Sequence, residues 1–141
     1  MKNEQLFQKL DKEKKIKQEI NRVKKLYKDF PKDKVKALDG LIQEAAFMKI
    51  SLEEMREDLL VNGLTEIFEQ GSQKFDRERP QVKIYTTFMQ RYSGVMKQLI
   101  DLLPEEEKKE EVDELLEFLK KVRLKNDRYI HRRILSKDSI W

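Results

Sequence analysis

The residues of this chain best suited to chemistry are cations along its first thirty positions. Lys12, Lys14, Lys15, Lys17, Arg22, Lys24, Lys25 and Lys28 surround an apolar seam of Ile16, Ile20, Val23, Tyr27 and Phe30. The seam steps 4, 3, 4, 3, the period of one face of an amphipathic helix. Ammonium and guanidinium groups spaced along a helix neutralise phosphates, so the pattern points to nucleic acid bound through its backbone. The same mixture of Lys and Glu around a seam also suits a solvated coiled-coil surface. No zinc finger, arginine-rich cluster or RNA-type aromatic signature accompanies it.

Other chemistries find little support. The single histidine, His131, cannot build a His-rich metal site, and with no cysteine there is no thiolate ligand, disulfide or redox pair. The four glycines, Gly40, Gly63, Gly71 and Gly94, fit neither G-x-x-x-x-G-K-[ST] nor G-x-G-x-x-G. Carboxylates are abundant but sit in helical charge runs. The reading is a non-enzyme with no cofactor and no metal. The missing cysteines suit a reducing compartment, and no apolar run is long enough for a membrane span or a signal core.

Positioning these residues requires a core. The chain has 141 residues, of which 38% are hydrophobic and 41% charged. That is enough for one thin-cored domain. With Gly 4 and Pro 3, a turn-rich all-β fold is disfavoured. Charge is segregated: residues 1–36 carry +7, 104–119 carry −6 and 120–141 carry +6.

Periodicity predicts five helices. The first runs from Asn3 to Asp29 and stops at Phe30-Pro31, because the residue before proline avoids the α region. Asp33 is placed to N-cap a second, Lys34 to Lys49, in which Gly40 suggests a close contact. Ser51-Leu52-Glu53-Glu54 reads as a capping box opening a third, through Met55 and Leu59 to Asn62-Gly63. The second and third then form a tight hairpin. A helix-turn-helix there is rejected, since Glu53, Glu54, Glu57 and Asp58 would face phosphates. Gly71-Ser72 between apolar residues signals a type II′ turn, hence a short β-hairpin at 64–78.

Pro80 suits the first position of a fourth helix, with Tyr85, Phe88, Tyr92, Val95, Leu99 and Leu102 on one row. Ile84, Met89, Met96, Ile100 and Leu103 form a second. So wide an apolar face marks the centre of a domain or of an assembly, and the first row is assigned to an oligomer interface. The fifth helix, 105–125, has an acidic start and a stripe of Val112, Leu115, Leu116, Leu119 and Val122. The fold class is all-α: helical hairpins around a long central helix. It divides into a basic N-terminal helix (1–30), an oligomerisation core (31–104), an amphipathic helix (105–125) and a basic, aromatic tail (126–141).

Part of this chain resembles a known family. Leu38-Asp39-Gly40-Leu41-Ile42-Gln43-Glu44-Ala45-Ala46-Phe47-Met48-Lys49-Ile50-Ser51-Leu52-Glu53-Glu54-Met55 is followed by Asn62-Gly63, Arg79-Pro80, Lys83-Ile84-Tyr85 and Lys97-Gln98-Leu99-Ile100-Asp101-Leu102-Leu103-Pro104. In that order and spacing, with Leu26-Tyr27-Lys28-Asp29 upstream, these pieces resemble the small terminase subunit of tailed bacteriophages over roughly residues 24–104. The resemblance implies a ring-forming, mainly helical adaptor in the host bacterial cytoplasm. Such an adaptor engages double-stranded viral DNA and passes it to a large terminase subunit holding the ATPase and nuclease. Many members carry an N-terminal helix-turn-helix, where this chain has one long basic helix. Under this reading Arg128, Tyr129, Ile130, Arg132, Arg133, Ile134, Leu135 and Trp141 dock on the large subunit, arginine and aromatics being common at interface hot spots. The competing view makes the tail a second DNA contact. Outside the resemblance, a coiled-coil protein that binds only protein is the other reading.

Overall fold

The computed structural model describes the backbone of residues 2–135 and side chains through residue 120. Among the described residues are four helices and one two-stranded antiparallel sheet: α1 (Lys2–Lys25), α2 (Lys32–Asn62), β1 (Thr65–Gln70), β2 (Gln73–Glu78), α3 (Pro80–Asp101) and α4 (Glu105–Leu135). The chain forms two compact units, Met1–Leu103 and Pro104–Trp141.

In the first unit α2 packs against both α1 and α3. It replaces the two expected helices and their hairpin with one helix of 31 residues. Ser51 is in mid-helix and 5% exposed, and its hydroxyl has no hydrogen-bond partner among the described residues. The S-x-x-E pattern caps a helix only where the chain is free to leave the helical conformation. Here Ile50, Ser51 and Leu52 are all buried, and no Gly or Pro interrupts residues 41–62. Burial on both sides of the would-be joint keeps the helix continuous. The central helix is therefore α2 rather than the fourth predicted one.

The start of α2 also differs from expectation. Pro31 occupies the N-cap, with no side-chain cap, and Asp33 lies in the first turn. Gly40 meets no close neighbour: a Cβ there would have nothing within 4 Å. Gly63 at the far end, with φ 80°, returns its N–H to the Leu59 carbonyl at 3.0 Å. That left-handed backbone favours glycine.

The hairpin forms as the turn chemistry predicts. Gln70 pairs with Gln73 around Gly71-Ser72, and Gly71 has φ 61° while Ser72 does not share a positive φ. That combination is the type II′ signature. Phe68 faces Phe75 across the strands with ring centroids 5.3 Å apart. Arg77 stacks on Phe68 and reaches Glu66 at 2.7 Å. Arg79 fastens the hairpin to α2: its guanidinium donates to the Gly63 carbonyl at 2.8 Å and to Asp58 at 2.7 Å.

The aromatic row of α3 is largely core. Tyr85, Tyr92 and Leu99 are 1%, 2% and 1% exposed in a single chain. Phe88 and Val95 are half-buried, and Leu102 is exposed. In the second row Met96 and Ile100 are buried while Ile84 is exposed. Three of the six residues of the expected interface row are therefore buried within the chain, where α3 packs on α2.

In the second unit α4 runs through Leu135, ten residues beyond the predicted end. No glycine or proline lies between Glu105 and Leu135, so nothing breaks the backbone where the apolar period fades. Glu105, Glu106 and Glu107 occupy its first turn, where carboxylates complement the helix dipole. Leu116 is exposed.

Candidate nucleic-acid interface

α1 ends at Lys25, and the following turn closes through short-range bonds such as Tyr27 N–H to the Lys24 carbonyl. Its inward face carries Val23, buried at 1%, with Tyr27 following in the turn. Glu19 lies on the same side, 9% exposed. It accepts from Arg22 at 2.8 Å and from Lys49 of α2 at 3.3 Å. This acidic centre, not an apolar contact alone, fixes α1 to α2.

The eight predicted cations divide in two. Lys12 pairs with Glu54 at 3.0 Å and lies over the Phe47 ring. Lys15 pairs with Asp11 at 3.2 Å, Arg22 with Glu19, and Lys24 with Asp39 at 3.0 Å. The Lys24 ammonium, aided by the Gln43 amide, holds the Asp39 carboxyl below its ordinary value. These four are largely spent on holding or decorating the fold. Lys14, Lys17, Lys25 and Lys28 are exposed and form no ion pair with a described residue. At about 100° per residue, Lys14 and Lys25 lie on the helix face opposite Ile16, Ile20 and Val23, with Asn21 beside them and Lys17 at the edge of that face.

Lys28 carries this stripe into a corner between α1 and α2. There Lys24, Lys28, Lys32 and Lys36 border a cavity of about 370 Å³ whose apolar wall is Tyr27, Phe30 and Val35. Tyr27 and Phe30 pack edge to face, centroids 5.1 Å apart. Asp39 lines the cavity but is engaged by Lys24. Asp29 and Asp33 are exposed nearby in the chain. Lys32 and Lys36 were not among the eight. The +7 charge of residues 1–36 includes them, but nothing in helical periodicity links residues on two sides of a proline.

Compared with protein-family models, curated proteins and solved structures, the chain finds no match.

The remaining predicted positions fall outside this surface. Arg128, Tyr129, Ile130, Arg132, Arg133, Ile134 and Leu135 belong to α4 rather than to a non-helical tail. Their side chains, and Trp141, lie outside the described residues. No helix among the described residues is long and apolar enough to cross a membrane.

Proposed function

We propose that this protein is a DNA-packaging adaptor of the small terminase type. It binds double-stranded viral DNA through α1 and presents it to a large terminase subunit, without catalysis of its own. The observation that carries the reading is the uncompensated stripe of Lys14, Lys17, Lys25 and Lys28, continued by Lys32 and Lys36 at the corner cavity. Four of the eight cations have no carboxylate partner among the described residues, which leaves them available to an external polyanion. With no base-reading groups on the stripe, contacts to phosphate dominate and sequence preference arises from DNA shape. The basic segment of α4 is assigned to the large subunit.

The test is duplex binding as a function of salt. Four phosphate contacts give a slope of log K against log salt of about −3.6 per protomer. Replacing Lys14, Lys17, Lys25 and Lys28 by Gln should flatten that slope and remove most of the affinity. A wild-type affinity independent of salt, or unchanged binding by the fourfold variant, would overturn the reading.

The protein-only alternative draws on a separate observation. Leu6, Phe7 and Leu10 are 55%, 73% and 53% exposed near the start of α1, apolar surface that favours a protein contact.

A further inference from the structure

The corner cavity between α1 and α2 joins two features that a phosphate stripe does not need together. Four lysines and one carboxylate line it, and Lys24 is bonded to that carboxylate, Asp39, at 3.0 Å. The Gln43 amide also donates to Asp39, at 2.7 Å. Lys28, Lys32 and Lys36 are exposed and form no ion pair with a described residue. Three cations therefore border one concave surface with no carboxylate to balance them. Lys32 opens α2, at the positive end of the helix dipole, where a cation is unfavourable. Asp33 is the acidic residue of that first turn, and among the described residues no ion pair offsets the cost.

The wall has the opposite character, being built from Tyr27, Phe30 and Val35. Tyr27 is buried, and its hydroxyl donates to the Leu99 carbonyl, so its ring is fixed in place. Phe30 is half-buried and meets Tyr27 edge to face, the ring planes 79° apart. An edge-to-face pair covers at most one face of either ring, which leaves a face of Phe30 that Tyr27 does not cover. The volume, about 370 Å³, is at the small end of the ~300–1,000 Å³ range of small-molecule sites. A duplex cannot enter it, whereas one flat ring system with its substituent can.

We propose that this cavity is a site for a single unpaired nucleotide, its base against Phe30 and its phosphate among Lys28, Lys32 and Lys36. An inorganic anion would use the lysines and leave the wall bare. An apolar ligand would cover the wall and leave three cations uncompensated. A base carrying a phosphate satisfies both, since every base has a flat face that stacks on an aromatic side chain and ammonium groups pair with phosphate as point charges. Such a nucleotide comes either from the end of a DNA strand or from a free nucleoside monophosphate. The strand end is the assigned source, because Lys28 carries the stripe of α1 to the rim of the cavity. That assignment rests on the reading of α1 as the DNA-binding helix; the nucleotide site itself does not. The cavity then separates strand ends from continuous duplex, a distinction that phosphate contacts along the stripe cannot make.

Fluorescence anisotropy of the full chain tests the site on two probes: a blunt duplex, and the same duplex with one unpaired 5′-phosphorylated nucleotide at each end. The overhung duplex should bind about tenfold more tightly. Phe30→Leu keeps an apolar side chain at the wall and removes the stacking face. It should abolish the preference and leave blunt-duplex affinity and circular dichroism unchanged. Lys32→Gln with Lys36→Gln should also abolish it, with no loss in the thermal midpoint, because a cation leaves the positive end of α2. Deoxyadenosine monophosphate and inorganic phosphate separate the sources. The monophosphate should shift the NMR amide resonances of Phe30, Lys32 and Val35, and phosphate at the same concentration should not. Equal shifts from both would show an anion site only and overturn the proposal. So would equal affinity for the two duplexes with no monophosphate shift. Monophosphate shifts without an overhang preference would keep the nucleotide site and remove the strand end as its source. The same shifts in a chain whose duplex binding ignores salt would keep the site and remove the DNA reading instead.

Discussion

Tyr27 donates its hydroxyl proton to the backbone carbonyl of Leu99, joining the turn after α1 to the end of α3 across 72 positions of sequence. The ring is 1% exposed, so the bond is made away from water. Leu99 also accepts the Leu102 N–H at 3.3 Å, which leaves its carbonyl partly satisfied if the tyrosine is lost. Tyr27→Phe should therefore cost about 1 kcal/mol, measured by urea denaturation.

Tyr85 supplies the contrast. It is equally buried, but its hydroxyl has no hydrogen-bond partner among the described residues. Burial pushes its ionisation up to about 12, although the Arg56 guanidinium works the other way. Tyr85→Phe removes a desolvated group that receives nothing in return, so stability should stay level or rise by about 1 kcal/mol. A loss as large as that of Tyr27→Phe would show that the hydroxyl is bonded in solution.

Gly40 and Gly94 sit inside α2 and α3 where an added Cβ would meet nothing within 4 Å. Neither has a positive φ. Gly40→Ala and Gly94→Ala should each stabilise the first unit by roughly 0.5–1 kcal/mol through helix propensity. The double variant should show the sum, read as a rise in the denaturant midpoint.

The clasp of Asp58 and Arg79 gives a pH dependence. The Asn62 amide and then the Arg79 guanidinium hold the Asp58 carboxyl below its ordinary value of 3.8. A carboxyl lowered in the folded state adds stability that is complete above 3.8 and is lost as pH falls through the lower folded value. Arg79→Lys removes the forked contact to Asp58 and the Gly63 carbonyl. It should cost about 1–2 kcal/mol near neutral pH. The gap to wild type should narrow below pH 3.8, as followed by thermal unfolding across pH.

Glu19 is nearly buried between Arg22 and Lys49. Glu19→Ala leaves Lys49, whose side chain is 15% exposed, beside Arg22 without that carboxylate. The expected loss is that of part-buried charge-assisted hydrogen bonds, about 2 kcal/mol, and thermal unfolding would report it.

The sequence carried the helical class, the hairpin and the exposed lysines because each is written locally. Gly71-Ser72 needs no distant partner to turn, and the seam of α1 is visible in its own spacing. The junction at Ile50 and Ser51 was not legible. Whether S-x-x-E begins a helix or lies inside one depends on burial supplied from elsewhere in the fold. The division of the eight cations was hidden for the same reason: Lys12 and Lys24 differ from Lys14 and Lys25 only in what stands opposite, Glu54 and Asp39, each far along the chain. Tyr85, Tyr92 and Leu99, read from the sequence as an interface row, are buried within the single chain, because periodicity marks an apolar face without saying whether the same chain or a second copy covers it.

Because α2 meets α1 before it and α3 after it, packing in the first unit follows the order of synthesis. A nascent chain can dock α1 on α2 while α3 is still being made. Such neighbour-to-neighbour topologies close short loops first and fold rapidly, in microseconds to milliseconds for helical domains. The Tyr27 bond to Leu99 spans the longest loop and belongs to the end of that process. Its removal should speed unfolding and leave the folding rate nearly unchanged.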